Sequence, residues 1–148
     1  MMAATREQIM EALFAVVSAS GAFVTKGRRL VSQTGLSPAL SPAVFLIEHL
    51  DVYERKQGGY NVQPKRELHA LAIMYNDTGS NQNAIPSTFI NNALDALEGL
   101  FAPDNKVTNT FTLGGLVQAC VLDGTSERAS GDVTGKAMAI APIRILLP

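Results

Sequence analysis

The residues able to do chemistry are few and scattered. His49 and His69 stand twenty residues apart, on separate predicted strands, and neither has a second ligand at the spacing of a metal site. Packing or hydrogen bonding within a sheet is the ordinary use of such histidines. Cys120, the only cysteine, lies in an apolar stretch where a thiol usually serves as a small hydrophobe. Its activation would need a basic neighbour that the sequence does not identify. Asp95 and Glu98 fall one helical turn apart beside Asn91 and Asn92, a pattern a polar helix face explains as well as acid–base work does. No Gly-rich loop ends in Lys-Ser/Thr and no Gly-x-Ser-x-Gly elbow occurs; Gly58-Gly59 and Gly114-Gly115 are bare pairs that read as turns. The expectation is no catalytic residue, no metal ligand and no cofactor.

Charge position says more than net charge. The total is −1, which excludes a uniformly basic surface for nucleic acid. Residues 26–66 nevertheless hold seven cations (Lys26, Arg28, Arg29, Arg55, Lys56, Lys65, Arg66) against three acids, a balance of +4. Residues 67–148 hold four cations against eight acids, a balance of −4. Such a split suits head-to-tail contact between copies, cations of one against acids such as Asp95, Glu98 and Asp132 of the next. It also suits a basic surface beside DNA, or plain solvated loops.

The elements that must carry these groups are legible in part. Thr5-Arg6-Glu7-Gln8 is a capping box, followed by Ile9, Leu13, Val16 and Val17 at helical spacing, with Gly21 offering a left-handed end. The pattern predicts a helix over 5–19. A short strand is expected at 28–31, a buried one at 43–47 and a central one at 66–75, whose two faces are both apolar. Pro86 opens a second helix over 87–101, with Ile90, Leu94, Leu97 and Phe101 on its apolar stripe. Strands are expected at 111–113, 116–122 and 136–147. Pro142 in the last implies an edge strand or a bulge. The segments 50–64 and 123–135 read as polar loops that make outside contacts.

The chain has 148 residues, 47% hydrophobic and 17% charged. That is one domain's length, over 1–148, with too much apolar content for a disordered chain. Two helices and mostly antiparallel strands predict an α+β domain with both helices packed on one face of the sheet. A single cysteine favours a reducing compartment. No targeting segment is apparent, and the longest apolar runs fall far short of the roughly 20 residues of a membrane span. A soluble cytoplasmic product that touches no membrane is expected.

Several segments together carry a resemblance. Ala-Ile-Pro-Ser-Thr-Phe-Ile-Asn-Asn-Ala-Leu-Asp-Ala-Leu-Glu (84–98) leads to Pro103-Asp104, then to Thr-Leu-Gly-Gly-Leu-Val-Gln-Ala-Cys (112–120), Asp123-Gly124 and the closing Ala-Met-Ala-Ile-Ala-Pro-Ile-Arg-Ile-Leu-Leu-Pro (137–148). With the amino-terminal helix and Ser-Pro-Ala-Val-Phe-Leu (41–46), the chain resembles the minor tail proteins of long-tailed bacteriophages, and among them the tail terminators. The resemblance implies a small α+β domain that forms a ring, usually of six copies, at the head-proximal end of the tail tube. There it would stop tube polymerisation and dock the head connector. It implies a virion protein assembled in the host cytoplasm, with the tube protein and the connector as partners, DNA only as the passing genome, and no enzymatic activity. A neck protein of the head–tail connector or tail-completion type is the alternative. A small cytoplasmic enzyme using Cys120 or the histidines is the remote one. Interface or channel candidates are Arg28, Arg29, Arg55, Lys56, Lys65, Arg66, Asp95, Glu98 and Asp132, with pairing between subunits favoured for most of the cations.

Overall fold

Thr5 sets the start of the first helix. In the computed structural model its hydroxyl accepts from the Gln8 amide at 3.1 Å, and the Gln8 side chain accepts from the Thr5 amide at 2.9 Å, the reciprocal capping expected from the sequence. Helix α1, Arg6–Ser18, buries Ile9, Met10, Leu13 and Val17. Gly21 does not end it in a left-handed turn: the cap is Ala19 in right-handed geometry, and Gly21 takes no positive φ. The Lys26 ammonium instead donates to the half-buried Ser18 carbonyl, which supplies the hydrogen bond and the charge that a helix carboxyl end favours. The structure describes residues 4–31, 38–54, 65–79, 81–129 and 134–147.

Strands β1 (Thr25–Gly27), β2 (Ala43–Glu54), β3 (Lys65–Asp77), β4 (Ala119–Leu122), β5 (Glu127–Ala129) and β6 (Lys136–Leu146) form one sheet. Its order is β1-β2-β3-β6-β4, with β5 also paired to β6. Among the described residues only the short β1·β2 pairing is parallel. Helix α2, Pro86–Leu100, lies between β3 and β4 in the chain. Both helices pack into the core on the same face of the sheet, so the α+β architecture expected from the sequence is the observed one.

Five expectations about the strands and loops change. The first strand is 25–27, not 28–31. A Cβ at Gly27 would stand 3.3 Å from the Phe45 ring, so the backbone passes close over that ring before Arg28 turns to Glu7 on α1. The 43–47 strand continues to Glu54, because a bulge between Glu48 and Leu50 restarts the pairing. Residues 50–54 of the expected 50–64 loop are therefore strand, while 55–64 lie outside the described residues. The 111–113 segment is a turn: the Asp104 carboxylate takes the Thr112 and Gly114 amides at 2.7 and 2.9 Å, and Leu113 sits at φ 52°. The 123–135 segment contains β5, and its residues 130–133 lie outside the described residues.

Pro142 is the fifth correction. Strand β6 is central, between β3 on one side and β4 and β5 on the other. Within a strand the N and O of one residue point to the same side, and the Pro142 carbonyl accepts from Asp123 at 3.2 Å. The missing N–H therefore faces the junction where β4 gives way to β5, between the Leu122↔Ile143 and Glu127↔Ile140 pairs. Gly124, at φ 123°, closes that junction; a Cβ there would stand 3.1 Å from the proline ring.

On the helix face, Val44, Leu46, Leu68, Met74, Ile143 and Ile145 interlock with Leu13 and Val17 of α1 and with Ile90, Ala93 and Leu97 of α2. Small residues, Ala70, Ala72, Ala137, Ala139 and Ala141, floor this side. The opposite face holds a smaller cluster of Ala43, Phe45, Ile73 and Tyr75, flanked by half-buried Ile47, Leu71, Met138 and Ile140.

Candidate assembly surface

The expected interface residues fall into three groups. Arg28 is engaged within its own chain, donating to both oxygens of Glu7, one at 3.3 Å; that pairing holds the Glu7 carboxyl below its usual range and raises the guanidinium. Arg29 is exposed beside it, and Asp95 and Glu98 are exposed along α2. Arg66 is half-buried at the start of β3, where its carbonyl accepts from the Leu147 amide at 3.2 Å. The Lys65 backbone pairs opposite Glu54, while Arg55, Lys56 and Asp132 lie outside the described residues. None of the ion pairs among the described residues joins the basic 26–66 segment to the acidic 67–148 segment: Arg28 pairs with Glu7, Arg6 with Asp51 at 2.8 Å, and Arg144 with Glu67 and Asp123. No group of three His, Cys, Asp or Glu among the described residues is placed to hold a metal ion.

Glu67 is the charged centre of the open sheet face. It is 5% exposed and accepts from Arg144 Nε at 3.0 Å and from a terminal guanidinium nitrogen, while Arg144 also reaches Asp123 at 2.8 Å. His69 Nε2 stands 3.3 Å from the same carboxylate. The Arg144 hydrogen bond, supported by His69, holds the Glu67 carboxyl below its usual range, and Arg144 is pushed up in turn. The arrangement neutralises a buried carboxylate. Sequence reading missed it because residues 67 and 144 meet only through the β3·β6 register, in which His69 faces Arg144.

The bulge brings the two histidines to one cleft of about 380 Å³, whose wall also includes Arg6, Glu48 and Asp51. Cys120 is fully buried, and burial pushes its thiol up to about 12, so it is held as a neutral thiol rather than a nucleophilic thiolate.

Two features at opposite ends of α2 stand out. At its amino end, Pro38, Ser41, Pro42, Asp77, Ala84 and Phe89 line a cleft of about 250 Å³. Apolar side chains sit on that end, with Leu40 43%, Ile85 60% and Phe89 42% exposed. Beyond its carboxyl end, residues 104–114 fold into a tight projecting turn. The Thr110 carbonyl accepts from the Asp104 and Asn105 amides, both at 3.1 Å. The Asn105 side chain accepts from Val107 and Thr108 at 3.0 and 3.3 Å, and the Thr108 and Thr110 hydroxyls meet at 2.7 Å. At the base the Gly114 and Thr112 amides hold the Asp104 carboxyl below its usual range. Val107 sits at the tip, 95% exposed. Asp104, Thr112 and Gly114 belong to segments noted in the sequence, but their spacing did not disclose the turn.

No protein-family model matches the chain, and no curated protein matches it in sequence. No helix among the described residues is long and apolar enough to cross a membrane.

Proposed function

We propose that this chain is a structural protein of a long-tailed phage virion. In this reading, six copies form a ring at the head-proximal end of the tail tube, end tube growth and present the docking surface for the head connector. The reading rests on the resemblance of residues 84–98, 112–120 and 137–148 to tail terminators. The observation that carries it further is the placement of bulky apolar side chains on the surface at both ends of α2, Leu40, Ile85 and Phe89 at one and Val107 at the other. Grouped exposed apolar residues suit a chain that works against other chains. Two different surfaces on one chain suit a head-to-tail contact, which closes into a ring when the rotation per subunit allows.

The exposed Arg29, together with Arg55 and Lys56, supplies cations for pairing with Asp95, Glu98 or Asp132 of an adjacent copy. Such pairing favours register and association rate more than affinity. A lumen that passes a genome works best without a dense lining of cations that would hold phosphates. The chain binds tube protein on one side of the ring and connector on the other, and it needs no cofactor.

The test is a tube-growth assay. Purified protein added to polymerising tail tubes is expected to stop elongation, with tube length in negative-stain images falling as the protein is added earlier. Tubes that reach the same lengths with and without the protein would overturn the reading. Binding to the connector with no effect on tube growth would replace it with the neck-protein alternative.

A further inference from the structure

Each end of α2 presents exposed apolar side chains. The helix has 15 residues and spans about 22 Å at 1.5 Å per residue, so the Val107 tip and the cleft at Phe89 cannot meet within one chain. The sheet gives the same separation independently. Asp77, in the cleft wall, is at the last position of β3, whereas the Phe111 carbonyl beyond the tip accepts from Cys120 in β4, which pairs at the far end of β6. We infer that the Val107 tip of one copy seats in the cleft formed by Pro38, Pro42, Ala84 and Phe89 of the next copy, and that this is the head-to-tail contact of the ring.

Three observations carry the pairing. The tip is preorganised: the Asn105 side chain and the Thr108–Thr110 hydroxyl contact fix its backbone before any partner arrives, so little order is lost on docking. The cleft is large enough to admit it with its neighbours, since about 250 Å³ would hold about eight waters at liquid density, of which an isopropyl group displaces about two. Charge matches as well. Lys106 is exposed next to Val107 and makes no hydrogen bond or ion pair among the described residues, and the cleft wall carries the Asp77 carboxylate. One oxygen of Asp77 accepts from the Gly79 amide at 2.8 Å, and the other has no side-chain partner among the described residues. Lys136 faces Asp77 in the β3·β6 register and is the cation within the chain that would compete.

The inference rests on the ring reading and specifies its contact, so the test must separate the two. The full chain carrying Val107→Cys and Ala84→Cys is oxidised alone and with tail tubes, then run on non-reducing gels. A disulfide needs Cα atoms within about 7 Å, so a bridge can form only between copies. Cys120, fully buried, stays silent. A covalent ladder ending at the ring's copy number is expected from the double variant, and dimers at most from either single variant. Val107→Asp is expected to weaken self-association about tenfold or more, equivalent to about 1.4 kcal/mol, with an unchanged melting temperature because the side chain is 95% exposed. Lys106→Glu should weaken it too, with partial rescue by Asp77→Lys. Rings that persist with Val107→Asp and give no ladder would overturn this contact and leave the ring reading standing. Cross-links to the tube protein would assign the tip to that partner and overturn it as well. A wild-type chain that stays monomeric both alone and on tubes would overturn the ring and the contact together.

Discussion

The helix-covered face of the sheet and its open face are made by the same strands, and the side chains on them follow different rules. Under the helices the sheet is floored by Ala70, Ala72, Ala137, Ala139 and Ala141, small residues that let α2 lie close over β3 and β6. Larger groups from the strands and helices then fill the space between the layers, with Leu13, Leu97, Ile143 and Ile145 fully buried. The open face carries the bulk itself: Phe45 and Tyr75, with ring centroids 5.9 Å apart, and Ile47, Leu71, Met138 and Ile140 only half-buried. It also carries Glu67, Arg144 and His69 in a hydrogen-bonded group. One face is finished by the chain's own helices, and the other by a smaller buried cluster with half-buried apolar neighbours and a matched charge group.

Large-to-small substitutions test that contrast most strongly. Leu97→Ala on the helix face should lower unfolding stability by about 2–5 kcal/mol, through lost transfer energy and the cavity left behind. Ile47→Ala on the open face should cost clearly less, because its surroundings are only half closed. Equal shifts of the two denaturant midpoints would break the comparison.

The acid limb of the stability curve sharpens it next. Glu67 is held below its usual range by Arg144 and then His69. Its contribution is therefore present above the carboxylate's unfolded value, near pH 4, and is lost as pH falls through the lower folded value. Arg144→Met removes the first cause and leaves a buried carboxylate facing desolvation. Its pKa should then rise above the unfolded value, so the Glu67 contribution would fall as pH rises through that range. Denaturant midpoints between pH 3 and 7 should therefore show a weaker acid loss in the variant. The same slope in both proteins would mean that the pair does not govern the open face.

A smaller and local effect is expected at Asp104. Asp104→Ala removes the acceptor for the Thr112 and Gly114 amides, so these two amides should exchange hydrogen faster while those of β3 keep their protection. The least disturbance concerns Cys120. With its thiol raised to about 12 by burial, it should not react with a thiol reagent at pH 8 until denaturant unfolds the chain.

The parts of the fold governed by local rules were legible in the residues. The capping box placed α1, Pro86 and the Ile90–Leu94–Leu97 spacing placed α2, and the doubly apolar pattern of 66–75 marked β3 as central. Leu94 and Phe101, expected on the same stripe, pack against the core half-buried, since the stripe centres on Ile90, Ala93 and Leu97. What the sequence could not disclose depended on pairing at long range. Pro142 argued for an edge or a bulge because the gap between β4 and β5 that accommodates it is created by two other segments. The Glu67–Arg144 pair joins residues far apart in the chain, and the Asp104 turn, though local, joins residues at a spacing that matches no motif. Of the candidate surface, the charged positions were legible, but Arg28's partner, Glu7, lies on α1 rather than in the acidic half, and the Val107 tip gave no signal in composition or periodicity.

Averaged electron-microscopy images of tail-tube ends incubated with the purified chain test the central claim most directly. The account predicts a closed ring of six copies on the head-proximal end, with neighbouring subunits in repeated head-to-tail contact. Bare tube ends, or single copies bound without neighbours at saturating protein, would contradict it.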